Sequence, residues 1–592
     1  MFSSGKKPSR LGQWTGRRRS SRGDEPILPS LWQPLVLCRL GVVLGTIVAA
    51  TLLACWWGPP APYRLGEVRR GDLRARVYFE VVNWQQTEQR RDEAVERLPP
   101  DERQDPLACE QARLAEPPVM EKYPAGTPLV QGGQPVSEQQ LLLLQEEHRA
   151  YLRDLSFRDR LRLGAAQFFV MGLLAGLVVL YVVRFQPALA SSLTKIGAVS
   201  LLATLSLALA LLLSQSPWHA TLVPLTVTAL VLTMAYNPQF ALLMALSLSL
   251  ATTVALGQDI NHLLVQMGGL ATAVLMLRSV RTRTRLVEVG MGAGLAFLIM
   301  TAATDLLAGQ TARFIVLNAC RHFACGALGG FLVSGGLPLV EKAFNVVTDV
   351  RLLELADGSH PLLQELLLRA PGTYTHSMTV GTLSEAAAEA IEANPLLARV
   401  GSYFHDVGKM LKAQYFIENQ TGENRHDDLE PALSTLIIIG HVKDGLALAK
   451  QYRLPGPILD VIAQHHGTTL VEYFYREAVR QQAECGQDSP PNQLEAAFRY
   501  PGPKPQNREN AIVMLADAVE SSSRALTDPT PGSLRKLVHD LLMKRLLDGQ
   551  FEESGLTLTE LHVVEKSLSK GLIALFHGRI RYPEPKESVM AS

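Results

Sequence analysis

Residues 163–183 read LGAAQFFVMGLLAGLVVLYVV, a run with no charged side chain. Wound as a helix it extends about 31 Å, which matches the hydrocarbon core of a bilayer. The scarcity of charge continues outward. Between Leu163 and Leu277 only Arg184, Lys195 and Asp259 are charged, where an average soluble chain would place roughly 29 such residues. Over all 592 residues, 47% are hydrophobic and 19% charged, and the net charge is +1. That balance excludes a purely soluble protein, a charged disordered chain and a generally basic nucleic-acid binder, so no nucleic acid polymer is expected as a partner. The length suits three or four structural units.

A first apolar run, Leu40–Trp57 (LGVVLGTIVAATLLACWW), precedes it. The basic stretch before that run also suits a cleavable signal peptide. However, the run exceeds a typical signal core, two Trp close it, and no small-x-small cleavage pattern follows at once, so it reads as an uncleaved anchor. Further runs cover about 163–183, 196–213, 220–235, 240–256, 262–277, 286–308 and 314–341, and SQSPW, YNPQ and GQDIN punctuate them as turns. Lys6, Lys7, Arg10, Arg17, Arg18, Arg19 and Arg22 place the N-terminus in the cytoplasm. With eight spans, parity puts the loop after the sixth there too. That loop carries Arg278, Arg281, Arg283 and Arg285, whereas 214–219 and 257–261 have no Lys or Arg. The expected organisation is a basic cytoplasmic N-terminus (1–39), an anchor (40–57), an extracytoplasmic segment (58–162), a seven-helix membrane domain (163–341) and a cytoplasmic domain (342–592).

In the outer segment, GDLRARVYFEVV alternates enough for a short strand, and Gln139–Arg160 reads as a helix whose stem runs on into the second span. Its size suits a sensor for an unknown extracytoplasmic ligand, or a stem alone; no residue in it marks a pocket. The six Cys lack CxxC spacing and only Cys109 falls on the outer side, so no disulfide is expected. Asp305 and Arg321 lie inside spans and read as a structural pair or as a transport or sensing site.

From Arg351 the pattern is that of an all-α soluble domain, with helices expected over about 360–369, 377–393, 396–404, 430–439, 443–452, 455–465, 469–483, 508–525, 532–547 and 559–576. Within it, His376, His405, Asp406, His441, His465, His466 and Asp517 carry chemical potential. A single histidine is more often structural than a ligand. The set is different: His405-Asp406 follows the apolar LLARVGSYF, His465-His466 ends another apolar helix, and Asp517 sits in AIVMLADAVE, where an uncompensated carboxylate would cost several kcal/mol. Mixed imidazole and carboxylate donors suit first-row divalent metals, and the absence of clustered Cys excludes sulfur-ligated sites. Five His and two Asp exceed the needs of one ion. A carboxylate bridging two ions roughly 3.5–4 Å apart would employ them all and make a phosphoester-hydrolysing centre.

His376, then His405-Asp406, then Asp517 repeats the H…HD…D order of the HD-domain phosphohydrolases. PGTYTHS (371–377), FHDVGK (404–409), YFIENQ (415–420), HVKDG (441–445), QHHGTT (464–469), YFYREA (473–478), FRYPGPKPQ (498–506), AIVMLADAVE (511–520) and the outer stretch 66–100 resemble the membrane HD-domain cyclic-di-AMP phosphodiesterases, the PgpH-like group. The resemblance implies one anchor span, an outer domain, seven spans and an HD domain in a bacterial inner membrane. It further implies one metal on His376, His405, Asp406 and Asp517, and a second on Asp406, His441, His465 and His466, the ions being manganese or iron. Asp406 would hold the bridging water, Lys409 would lie near a phosphate, and Lys504 would touch the substrate. The implied substrate is cyclic di-AMP, opened to linear pApA, with the lipid bilayer and a second copy of the chain as further candidate partners. This sequence departs from the group in having Thr375 where a second His is frequent, and in its shorter outer domain. A first alternative is an HD enzyme for another nucleotide, such as cyclic di-GMP, but the HHE and GYP signatures of the enzymes that open that molecule are missing. A second is a seven-span receptor whose HD domain only binds nucleotide, against which the intact seven-residue set counts.

Overall fold

The structure is a computed structural model and describes residues 34–57 and 63–577, less 216, 278–279, 421, 486–490 and 527–528. The basic cluster Lys6–Arg22 and Arg278 lie outside the described residues. The chain divides into two compact units, one built mainly from residues before Thr221, the other from most of the later ones.

In the first unit, helix α1 (Pro34–Trp57) starts earlier than the apolar run it contains. The outer segment holds two two-stranded antiparallel sheets: β1 (Leu73–Arg74) pairs with β4 (Pro128–Val130), and β2 (Phe79–Val82) with β3 (Met120–Tyr123). Helices α2 (Trp84–Glu96) and α3 (Pro106–Ala115) fill the connection, and neither was expected from the sequence: α2 is polar on nearly all faces and α3 is only ten residues long. Phe79, Leu129, Val130, Val136 and Leu144 form the small core. Beside it Glu147, 1% exposed, takes a two-pronged ion pair from Arg76 at 2.8–3.0 Å.

The expected stem over 139–160 is two helices. Helix α4 (Glu138–Asp154) stops, and Ser156 caps α5 (Phe157–Phe185) by accepting from the Asp159 amide, so the capping chemistry of Ser156 overrides the continuous apolar pattern. Helix α1 packs on α5 and α6 (Leu193–Leu213). Large apolar side chains stay open on these helices, among them Phe169, Leu173, Leu180 and Leu201, as lipid-facing side chains must.

Helices α7 (Leu222–Ala235), α8 (Pro238–Ala255), α9 (Ile260–Met276), α10 (Arg283–Leu307) and α11 (Ala312–Phe344) complete the apolar set. Six of these eight apolar helices are long enough to cross a bilayer; α7 and α9 are shorter, and α7 is almost wholly buried. The chain is therefore a multi-pass membrane protein. Helices α10 and α11 meet backbone to backbone: Gly290 and Gly294 face Gly326 and Gly330, and a Cβ added to Gly290 would stand 2.6 Å from the Gly330 Cα. Asp305 accepts from Asn318 Nδ2 at 2.8 Å, and of the two readings offered for Asp305 and Arg321 the structural ion pair is not seen among the described residues. The Asn318 amide, on the same helix one turn earlier, is close enough to serve the carboxylate first.

Helix α11 ends at Phe344, Asn345 turns the chain in the left-handed region (φ 50°), and α12 (Asp349–Leu355) begins four residues on. Glu341 accepts from the Thr348 amide at 3.2 Å, and Asn345 lies against Gly456. Arg281 and Arg283 reach Asp349 at 3.9 Å and Glu354 at 3.6 Å.

The remaining domain is all-α, as expected: α13 (Pro361–Arg369), α14 (Pro371–Ala390), α15 (Pro395–Phe404), α16 (Pro431–Gln451), α17 (Gly456–Gln464), α18 (Glu472–Cys485), α19 (Arg508–Ser523), α20 (Pro531–Leu547) and α21 (Leu558–His577). Pro371 and Gly372 form the first turn of α14, since proline is preorganised for that position. The two helices expected over 430–452 are one. Gly440 faces open space and costs the helix only its propensity, so the polar HVKDG does not break it. Helix α16 is apolar enough on average to cross a membrane, yet it carries Lys443, Asp444 and Lys450 and packs inside this domain.

His360 caps α13, its Nδ1 accepting from the Leu362 amide at 3.3 Å, with its ring edge-on to Phe404. Burial, helped by the charge of Arg351, holds its pKa below the ordinary 6.5. The unfolded chain therefore binds the proton first, so this contribution to stability is full above about pH 6.5 and lost as the pH falls through the folded value. Melting curves from about pH 7.5 to 5 should show a shallower acid decline for His360→Asn, which keeps a capping acceptor without a titrating ring.

Candidate metal centre

The pairing of residues begins with helix ends. Helix α15 buries Ala398, Val400 and Phe404 completely, and its last turn delivers His405 and Asp406 to the interior. Helix α17 likewise buries Ile458, Val461 and Ile462 and ends at His465, with Gly467 in the left-handed region (φ +54°) turning the chain away. A side chain at Gly467 would collide with Gln550 Oε1. His376 comes from the second turn of α14, His441 from the middle of α16 and Asp517 from α19, whose other inward residues are mostly apolar.

All seven sequence-expected residues converge. One group comprises His376, His405, Asp406 and Asp517, and the other Asp406, His441, His465 and His466; in each group the candidate ligand atoms lie within 4.8 Å of one another. Asp406, 1% exposed, belongs to both. Its Oδ2 faces His405 Nε2 at 3.2 Å and His376 Nε2 at 3.5 Å, while its Oδ1 faces His441 Nε2 at 3.3 Å and His465 Nε2 at 3.6 Å. Asp517 Oδ1 lies 3.1 Å from His376 Nε2, and its Oδ2 3.7 Å from His466 Nδ1.

The far side of each ring fixes which nitrogen is free. His405 Nδ1 is hydrogen-bonded to the Ser402 carbonyl at 2.7 Å, His465 Nδ1 to that of Ile462 at 2.9 Å, and His441 Nδ1 to that of Ile438. A carbonyl only accepts, so each Nδ1 carries the proton and each Nε2 presents a lone pair inward. His376 does the same through Glu520. His441 Nε2 and His465 Nε2 consequently face each other across 3.2 Å as two lone pairs, an arrangement that repels unless a cation lies between them. His376 Nε2, His405 Nε2 and Asp406 Oδ1 are buried without a hydrogen bond. Orphaned donors of this kind, on nitrogen and carboxylate oxygen, fit divalent metal ions.

The electrostatics divide the rings: although burial lowers both, Asp406 and Asp517 raise His405 to about 10, and Asp517 and Glu520 raise His376, so an ion bound there would displace a proton from each. Burial pushes Asp406 and Asp517 up, but the surrounding histidines, with Lys409 at Asp406, hold both carboxyls well below the usual range. Burial lowers His441 to about 3, leaving it a neutral ligand, and puts His466 well below its ordinary value too.

Lys409, expected near a phosphate, has its ammonium 2.7 Å from Asp406 Oδ2 and 3.1 Å from Glu418 Oε1, nearly buried, where it braces Asp406. Lys504 is taken by Glu552 at 3.0 Å. Sequence reasoning missed Glu418 and Glu520. Glu520 lies one helical turn after Asp517, and that spacing of two acids on an apolar helix was the available signal. Tyr500 was missed as well; its ring packs over His466 at 4.3 Å between centroids.

The short 3₁₀ segment Val407–Tyr415 presses Gly408 onto α16. A Cβ there would run into the His441 carbonyl oxygen and stand 2.5 Å from the Gly445 nitrogen. Gly408→Ala must therefore shift Asp406 relative to His441, lowering turnover by about 10²-fold and stability by about 1–3 kcal/mol, as steady-state rates and thermal melts would register.

Comparison with known proteins is consistent with this geometry. Residues 162–348 match the family described as 7TM receptor with intracellular HD hydrolase, and residues 373–522 match the HD domain family. The chain is 38% identical over 379 residues to the cyclic-di-AMP phosphodiesterase PgpH of Bacillus subtilis, covering 62% of this chain and 52% of that protein. It is 37% identical over 374 residues to PgpH of Listeria monocytogenes, covering 62% and 51%. It thus spans about half the length of these curated relatives. A crystal structure of the L. monocytogenes PgpH HD domain in complex with cyclic-di-AMP is 43% identical, with a TM-score of 0.35, covering 38% of this chain and all of that one.

Proposed function

We propose, from the premise of an HD domain joined to a seven-span membrane region, that this chain is a membrane-bound phosphodiesterase that opens cyclic di-AMP to linear pApA. The observation that carries the reading is Asp406, a single buried carboxylate shared by two four-residue ligand groups. His376, His405, Asp406 and Asp517 would hold one divalent ion, and Asp406, His441, His465 and His466 another, manganese or iron in each case. Bound there, such ions supply a nucleophile drawn from water near neutral pH and positive charge opposite the developing negative charge. The chain's own residues keep four imidazoles in one tautomer, brace Asp406 with Lys409 and Glu418, and enclose the donors from bulk solvent. The net reaction adds water across one P–O3′ bond, leaving a 5′-phosphate and a free 3′-hydroxyl. The names of the relatives support adenine as the base.

The same reading places the N-terminus and the HD domain in the cytoplasm and residues 58–162 outside, where an unknown ligand would bind. The ion pairs of Arg281 and Arg283 with Asp349 and Glu354 support this, since they keep a basic membrane loop on the side of the HD domain. The test is hydrolysis of a panel of cyclic dinucleotides by the detergent-solubilised chain with manganese. Cyclic di-AMP should be cleaved preferentially to pApA; equal turnover of cyclic di-GMP would remove the substrate assignment.

A further inference from the structure

Beside the metal centre lies a largely buried cation with no anion. Arg545 stands in the last turn of α20, its Nε is buried without a hydrogen-bond partner, and among the described residues its guanidinium forms no ion pair. The groups whose charge acts on it are Asp517, Asp548, Glu472 and Tyr500. Each acid is already engaged. Asp517 faces His376, Asp548 takes Arg499 at 2.9 Å, and Glu472 takes Lys544. Tyr500 in turn stacks on His466, and the Arg545 carbonyl accepts from the Gln550 amide at 3.0 Å while the Gln550 side chain accepts from the Thr468 amide, two residues after His466. Burying a guanidinium without a counter-charge is costly, and its fork of donors matches a phosphate.

On the reading of the site as a cyclic-dinucleotide phosphodiesterase, we infer that Arg545 receives the second, non-reacting phosphate of the substrate. A cyclic dinucleotide carries two phosphodiester anions, and only one can lie over the ligand groups. The other needs a cation, which Lys409, spent on Asp406 and Glu418, and Lys504, spent on Glu552, do not supply. Arg545 thus acts in binding.

The experiment compares Arg545→Gln and Arg545→Lys with the parent in the full detergent-solubilised chain, with melting temperature and manganese content measured alongside. Arg545→Gln should raise KM for cyclic di-AMP at least tenfold while kcat stays within about threefold, and Arg545→Lys should recover part of the loss. An unchanged KM, or a fall in kcat alone, would overturn the assignment. A parent chain that cleaves no cyclic dinucleotide would sink the phosphodiesterase reading instead. Equilibrium binding of pApA would then decide for Arg545: weaker binding by Arg545→Gln supports it, and equal binding overturns it.

Discussion

Asp406→Asn is expected to lower cyclic di-AMP hydrolysis by roughly 10³–10⁴-fold, the scale on which members of an interdependent catalytic set fail. The amide is nearly isosteric, so the fold should persist. It nevertheless turns one shared acceptor into a donor, aimed at lone pairs on either His376 and His405 or His441 and His465. It also strips Lys409 of one of its two carboxylate partners. Because Asp406 belongs to both ligand groups, the bound metal should fall for both ions together; Asp517→Asn should spare the group that does not contain it. Elemental analysis beside kcat/KM separates these outcomes, and a variant keeping full metal and full activity would refute the shared-carboxylate arrangement.

Chelation is the second large effect. Removing the ions should abolish turnover and leave the lone pairs of His441 and His465 opposed across 3.2 Å, with Asp406 Oδ1 unsatisfied. A ligand at about 100 times its Kd stabilises by about 2.7 kcal/mol, so loss of the ions should lower the melting temperature by about 5–10 °C for a domain of this size. Manganese should restore both activity and melting. Full turnover in chelated buffer would eliminate the metal reading altogether.

Much of this was legible before any coordinates. Lipid tolerates few charges, so an apolar stretch with three charged residues betrays spans whatever their packing. Metals accept few donor types, so scattered His and Asp residues on apolar helices could be grouped. Other features depend on contacts between residues far apart in sequence, which periodicity does not report. Glu418, nine residues from Lys409, and Glu520, 144 residues from His376, acquire meaning only when folded. The break at Ser156 and the continuity of α16 through Gly440 were misread because local propensity and tertiary packing differ there by little energy.

The junction at 345–348 has a mechanical consequence. Glu341 clasps Thr348, and Asn345 is seated on Gly456, the first residue of the helix that terminates in His465 and His466. So short a coupling has no slack in which to dissipate torque. A twist of the last apolar helix would be geared onto two of the candidate ligand imidazoles through the chain alone, without any diffusible go-between.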